Sequence, residues 1–296
     1  VASVEIRLGD DGNYTLYTGS SDMGMGANTI LTQMACEALG CPMESMTVVE
    51  SDTDIVPFDP GSYASSTTYV TGTAAKMAAE ELREKIIHKL AQFMEVKPED
   101  IDFDGLVGVT KDGTKKMSIQ ELAPKLLVGT TCEQLTGFAT WGSHTSPPPF
   151  MASIAEVKVD KQTGQIIPLH MYNCVDCGTV VNPKLARVQV EGGAVQAIGM
   201  ALYEDVRYSS NGRLETNNFM TYKIPTRQDI GELHTAFVES YEESGAYGVK
   251  SIGEIVINTA CPAIQHAVKN AVGADIRTLP MTPEKVFMGM DEKYKV

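Results

Sequence analysis

No run of about 18 uninterrupted apolar residues occurs in this chain, so no stretch reads as a membrane-spanning helix. There is no basic segment followed by an apolar stretch at the start, where Val1 opens directly on a strand-like pattern, so no secretory signal is visible; the missing initiator methionine leaves the true start open. Basic charge is scarce: 24 Lys and Arg face 38 Asp and Glu, for a net charge of −14. A nucleic-acid partner needs clustered cations to neutralise phosphate, and is excluded on that ground; the acidity reads as ordinary solubility. Cysteines number six in 296 residues. A chain of this length builds a core without disulfides, and the thiols are expected to be reduced in a cytoplasmic protein. Cys174-Val175-Asp176-Cys177 has C-x-x-C spacing, but it lacks the second pair or thioredoxin-like context that a metal or redox role requires. No iron–sulfur cysteine pattern, flavin motif, internal repeat or low-complexity tract is present.

What is there reads as a mixed α+β chain with 43% hydrophobic residues. Residues 4–18 alternate around Asp10-Asp11-Gly12-Asn13, which predicts a hairpin. A glycine-rich loop over 19–26 leads into a helix over 27–39, stopped by Gly40, and a short strand over 46–50. Residues 51–66 form a polar loop with prolines at 57 and 60, followed by a long helix from about 67 to 93. Ser118-Ile119-Gln120-Glu121 is a capping box opening a shorter helix. The three prolines in 145–150 mark the linker, which gives expected units of 1–150 and 151–296. The second half should begin with a hairpin, 154–159 with 166–172, turned at Lys161-Gln162-Thr163-Gly164. Asn182-Pro183 then caps a helix ending near Tyr203. Ser209-Ser210-Asn211-Gly212 reads as a turn, 258–272 as the last long helix, and Thr282-Pro283-Glu284-Lys285 as the start of a terminal one.

Three segments carry candidate chemistry. The loop 19–26 sets glycines before a helix N-terminus, where backbone N–H groups can approach an anion; it serves equally as a tight strand-to-helix connection. It is not G-x-x-x-x-G-K-[ST], which disfavours a Walker-type phosphate loop. In Gly61-Ser62-Tyr63-Ala64-Ser65-Ser66-Thr67-Thr68, four consecutive small hydroxyl residues exceed what helix capping needs and suit close packing on a polar ligand. In Gly248-Val249-Lys250-Ser251-Ile252-Gly253-Glu254, an acid stands between a glycine and the apolar Ile255-Val256-Ile257. Partial desolvation there would raise its carboxyl pKa and make it a usable base; a solvated loop glutamate is the alternative.

Met23-Gly24-Met25-Gly26, Tyr63-Ala64-Ser65-Ser66, Asn182-Pro183, Gln189-Val190-Glu191-Gly192, Thr221-Tyr222-Lys223-Ile224-Pro225, Gly253-Glu254 and Thr282-Pro283-Glu284-Lys285 occur in the order and spacing of the molybdenum hydroxylases, the xanthine dehydrogenase and aldehyde oxidoreductase family. The chain resembles the C-terminal half of that family's molybdopterin-binding chain over essentially its whole length. The resemblance implies the cofactor-binding fold of the family and a molybdenum–molybdopterin cofactor, in its cytosine dinucleotide form, with a terminal sulfido or selenido ligand. It implies that Gly24, Met25 and Gly26, with Ala64, Ser65, Ser66, Thr67 and Thr68, embrace the cofactor. Gln196, Lys250, Ser251 and Gly253 add contacts, Tyr63 faces the substrate side, and no side chain ligates the metal. Glu254 takes the role of the family's general base.

Two departures are visible. Met25 stands where the family usually has glutamine, and Tyr63 where it usually has alanine. Nothing matches the family's first half, which the resemblance places on a separate large molybdopterin subunit, with 2Fe-2S clusters and FAD on further partner subunits. The implied reaction is hydroxylation of an electron-poor carbon of a small molecule, such as an N-heterocycle, purine or aldehyde, with water as the oxygen source. A non-catalytic scaffold subunit is the rival expectation; Met25 and Tyr63 speak for it and the intact Gly253-Glu254 against it.

Overall fold

Side chains alternate in and out along β1 (Ala2–Leu8) and β2 (Tyr14–Thr18), so Val4, Ile6, Leu8, Tyr14 and Leu16 all bury on one face of the hairpin. In the computed structural model, which describes residues 1–128 and 132–295, that face is the floor of the first core. The polypeptide divides into two compact units, Val1–Pro147 with Tyr241–Ser251, and Pro148–Ser240 with Ile252–Val296.

In the first unit, α1 (Ala27–Leu39) ends on Gly40, whose left-handed backbone brings its N–H to the Cys36 carbonyl at 2.7 Å. β3 (Met46–Glu50) then pairs parallel to β2. The expected long helix begins as a π-helical turn, Thr67–Thr71, and continues as α2 (Gly72–Met94). Small residues Ala74, Ala75, Ala78 and Ala79 are fully buried, letting α2 lie close on the sheet. β4 (Ile101–Phe103), β5 (Val107–Thr110) and β6 (Lys116–Ser118) form a small antiparallel meander. The predicted capping box opens α3 (Ile119–Leu126): Ser118 Oγ accepts from the Glu121 N–H, and the Glu121 carboxylate accepts from the Ser118 N–H. β7 (Thr136–Trp141) closes the sheet against β1, in the order β3-β2-β1-β7. Any side chain at Gly137 would overlap the Ala78 carbonyl and Leu82.

In the second unit, β8 (Phe150–Val159) and β9 (Ile166–Asp176) make the expected hairpin, longer at its open end than the pattern implied. Asn182 Oδ1 accepts from the Leu185 N–H at 3.1 Å and starts α4 (Pro183–Leu202). β10 (Glu232–Phe237) adds parallel to β9, giving the order β10-β9-β8. The expected last long helix is α6 (Ala260–Val272), preceded across Thr259 by one further turn, α5 (Ile255–Asn258); α7 (Pro283–Gly289) follows its predicted Thr282 cap. Ala194, Ala197, Ile198, Ala201, Ile264 and Val268 fill the space between the helices and the inner sheet face.

The C-x-x-C pair does not converge. Cys174 is exposed on the outer sheet face, whereas Cys177 is buried in the small cluster with Val175, Val190 and Val256. Among the described residues no disulfide forms, and none of their helices is long and apolar enough to cross a membrane.

Leu82 is fully buried between α2 and β7. Leu82→Ala should cost about 2–5 kcal/mol through lost contacts and a residual cavity. Urea unfolding followed by Trp141, the only tryptophan of the chain and packed edge-on against Tyr69 at 5.2 Å, reads this unit; a loss under about 1 kcal/mol would show that Leu82 is not a core anchor.

Candidate functional site

Three segments of the first unit are drawn together by short polar side chains. The glycine-rich loop touches the hydroxyl loop through Ser62, whose Oγ donates to the Ser21 carbonyl at 2.8 Å and lies 3.3 Å from Ser20 Oγ. At the start of α2, the Tyr69 N–H donates to Ser251 Oγ at 3.3 Å. Thr73 Oγ1 donates to the Tyr69 carbonyl at 2.6 Å and accepts from the Ala246 N–H at 3.2 Å. Tyr69 is buried, and its hydroxyl reaches Ser244 Oγ at 2.7 Å and Ser143 Oγ at 3.2 Å. Tyr247, held at φ 57°, donates its hydroxyl to the Met34 carbonyl at 3.0 Å. The segment Tyr241–Ser251 is thereby fixed onto α1 and the π turn, with Ser251 buried and Lys250 half-buried beside the hydroxyl loop's root.

The hydroxyl loop itself is under backbone strain. Ala64 and Ser65 are consecutive non-glycine residues in the left-handed region, at φ 51° and 53°, immediately before the π-helical turn that contains Thr67 and Thr68. Such conformations cost of order 1–3 kcal/mol each and concentrate at ligand clamps and active sites. Ser66 Oγ donates to the Tyr63 carbonyl at 2.8 Å, and Tyr63 and Ala64 are exposed while residues 65–68 are half-buried.

The glycine-rich loop holds a residue that the sequence reading passed over. Gly24 and Gly26 take φ of 97° and 83°, wrapping the backbone around the Asp22 carboxylate. That carboxylate accepts the N–H groups of Gly24 at 2.9 Å, Gly26 at 3.1 Å and Asn28 at 3.3 Å. Burial pushes the Asp22 carboxyl pKa up, but these bonds, joined by one from the Met25 backbone, hold it below the usual aspartate value. The signal was an Asx residue two and four positions before glycines. The donors read as open to an external anion are thus bonded to Asp22, and Met25 is half-buried next to them.

In the second unit, Glu254 is the residue before α5 and is exposed, as is Gly253. The desolvation expected from Ile255-Val256-Ile257 is not supplied by this chain: the run coils into a helix, which turns Val256 into the cluster with Val175, Cys177 and Val190. α4 packs directly on α5, because any side chain at Gly193 would overlap Val256. One turn apart on the same helix, Gly192 and Gln196 are exposed, and a Cβ at Gly192 would meet nothing within 4 Å. A mid-helix glycine costs about 0.5–1 kcal/mol relative to alanine, and no neighbour among the described residues requires this one. The Thr221–Pro225 motif lies in a turn, where the Tyr222 hydroxyl donates to Glu204.

A pterin with phosphate groups asks for many small donors and close backbone approach. In the first unit, the strained hydroxyl loop and the buried Asn28 Oδ1, which has no hydrogen-bond partner among the described residues, fit that demand.

Residues 1–231 match the model of the molybdopterin cofactor-binding domain, and the chain belongs to that family, within the molybdenum hydroxylases. It is 37% identical over 295 residues to the probable hypoxanthine oxidase XdhD of Escherichia coli, covering 98% of this chain and 30% of the relative. Among solved structures it is similar to the copper–molybdenum CO dehydrogenase, with a TM-score of 0.86 and 25% identity over 97% of this chain and 37% of the other. It is also similar to quinoline 2-oxidoreductase of Pseudomonas putida 86, with a TM-score of 0.86 and 27% identity over 98% of this chain and 38% of the other. The chain spans about a third of the length of the relatives it matches.

The Asp22 bonds should protect the Gly24, Gly26 and Asn28 amides from hydrogen exchange near neutral pH. Because the folded carboxyl pKa lies below its unfolded value, that protection is complete above the unfolded value and is lost as pH falls through the folded one. Asp22→Ala should raise exchange at these amides at least tenfold with the rest of the unit unaltered; unchanged exchange would show that the carboxylate does not organise the loop.

Proposed function

We propose that this chain is a molybdopterin-binding subunit of a molybdenum hydroxylase that hydroxylates an electron-poor carbon of an N-heterocycle, with water as the source of oxygen. The observation that carries the reading is the clamp in the first unit, where a strained, hydroxyl-rich loop and the segment ending in Lys250 and Ser251 are fixed by Tyr69 and Thr73. Ser65, Ser66, Thr67 and Thr68 would bind the pterin and its phosphates, with Gly24, Met25 and Gly26 alongside as neighbours whose N–H groups stay on Asp22. Gln196 and Gly253 would be cofactor contacts on the family pattern, and Tyr63 would border the substrate. When bound, the cofactor supplies the two-electron redox chemistry and the reactive oxygen. The chain's own part is to orient the cofactor and to accept a proton at the Glu254 carboxylate.

The names of two relatives, hypoxanthine oxidase and quinoline 2-oxidoreductase, support an N-heterocyclic substrate, while CO dehydrogenase carries the same fold with a different one. A purine or aldehyde remains within the class. The exposed Glu254, Gly192 and Gln196 support closure of the site by residues outside this chain, which we assign to a large molybdopterin subunit. Iron–sulfur and FAD subunits would carry electrons away, in the cytoplasm, in a split arrangement similar to that of anaerobic bacterial nicotinate dehydrogenase. The pterin is proposed as the cytosine dinucleotide, with a sulfido or selenido ligand. A non-catalytic scaffold is the second reading, favoured by the occupation of the loop donors by Asp22.

Glu254→Gln separates the two. It keeps shape and hydrogen bonding but cannot take up the proton. In the loaded complex, single-turnover reduction by substrate should slow by about 10⁴ or more, at the upper end for a general base. Reduction within about threefold of wild type would remove Glu254 from the mechanism and favour the scaffold.

A further inference from the structure

The outer face of the β8–β10 sheet carries a cluster that the molybdenum chemistry does not use. In a strand, alternate residues share a face, and β10 runs parallel to β9 with Glu232 opposite His170 and His234 opposite Tyr172. Glu232, His234 and His170 therefore project from the same side. Their neighbours Met171, Asn173 and Val175 bury on the other side, where α4 and α6 pack. His170 Nδ1 lies 3.2 Å from His234 Nε2 and 3.5 Å from Glu232 Oε2, and His234 Nε2 lies 3.8 Å from the same oxygen. Two imidazoles and a carboxylate thus converge three ligand atoms, each pair at or near van der Waals contact.

We propose that His170, His234 and Glu232 form a binding site for a divalent late first-row transition ion of the zinc class. In the plane of the three atoms, the point equidistant from them lies about 2.0 Å from each, which is the length of zinc–imidazole and zinc–carboxylate bonds. A hydrogen-bonded surface pair satisfies one such distance; the common radius requires all three together. The two-histidine, one-carboxylate set is a recognised donor set for zinc and its neighbours, and leaves a position for water or a further ligand.

The rings are held in place. Tyr172 stacks on His234 at 4.5 Å with an interplanar angle of 11°, and on His170 at 5.9 Å with 28°. The donor side chains are between one-third and two-thirds exposed, so an ion can enter from solvent. Glu156, paired with His170 across β8 at the irregularity in that strand, adds a further carboxylate on this face. A bound ion would staple β10, an edge strand, to β9. The sequence marker is Glu232-Leu233-His234, an acid and a histidine at strand period.

The test uses the untagged full chain, in whatever complex it is purified, titrated with Zn²⁺ by calorimetry and with Co²⁺ by visible absorption. One ion per chain should bind with a dissociation constant of about 1 μM or below, and Zn²⁺ should raise the melting temperature. His170→Gln and His234→Gln, chosen because both are surface changes that keep hydrogen-bonding capacity, should each weaken binding at least tenfold, and Glu232→Gln likewise. His88→Ala, which removes an exposed histidine 3.9 Å from Glu84, should leave binding unchanged. Absence of stoichiometric binding up to about 100 μM Zn²⁺, or retention of wild-type affinity in both histidine variants, overturns the site. Metal-free melting temperatures within about 2 °C of wild type establish that the variants fold. Should one variant fall outside that range, the other two decide.

Discussion

Tyr69 is the side chain on which the first unit's functional surface depends. It stands in the π-helical turn before α2, and its backbone N–H, carbonyl and hydroxyl each bond to a different hydroxyl residue, from Ser251, Thr73 and the Ser143–Ser244 pair. Four of those groups come from sequence positions more than 70 residues away or from the next turn of α2, so the side chain links segments that the chain order separates. Buried polar groups must be paired, and here the pairing requirement fixes the ends of the hydroxyl loop and of the Tyr241–Ser251 segment at once. With its root fixed, the loop can hold Ala64 and Ser65 in the left-handed region without relaxing.

Much of this was legible in the sequence where local chemistry decides. The helix Ala27–Leu39 with its Gly40 stop, the Ser118 capping box, the Asn182-Pro183 and Thr282-Pro283 caps and both hairpins follow from turn and capping residues acting within a few positions. Elements whose identity is tertiary were not. β7, with Gly137 and Ala139 in place of branched residues, is a strand through its pairing with β1, and α2 leaves no room for a side chain at Gly137. β10 is defined by its parallel pairing to a strand some 60 positions earlier, which leaves no local mark. The short helix Ile255–Asn258 before the expected last helix left no mark beyond an apolar run.

The candidate site shows the same division. Its motifs could be recognised in order, which placed the chain among the molybdenum hydroxylases. Their physical state could not. The carboxylate of Asp22 takes the loop N–H groups for itself, and the apolar run after Glu254 turns inward as a helix instead of shielding the acid. The first follows from a side chain competing with a ligand for backbone N–H groups, the second from burial of Val256 against Val175, Cys177 and Val190, and residue type alone resolves neither. Gly192 is a different case: a Cβ there meets nothing within 4 Å among the described residues, so packing does not explain the cost of a glycine in α4.

The central claim is that the hydroxyl loop of the first unit holds the molybdenum cofactor. Molybdenum and pterin content per chain, measured on the purified complex for wild type and for Ser66→Leu with Thr67→Leu, tests it most directly, with the melting temperature recorded in parallel. The account predicts near-stoichiometric molybdenum in the wild type and a loss of at least tenfold in the variant, at a melting temperature within a few degrees. Wild-type molybdenum content in a folded variant would contradict it.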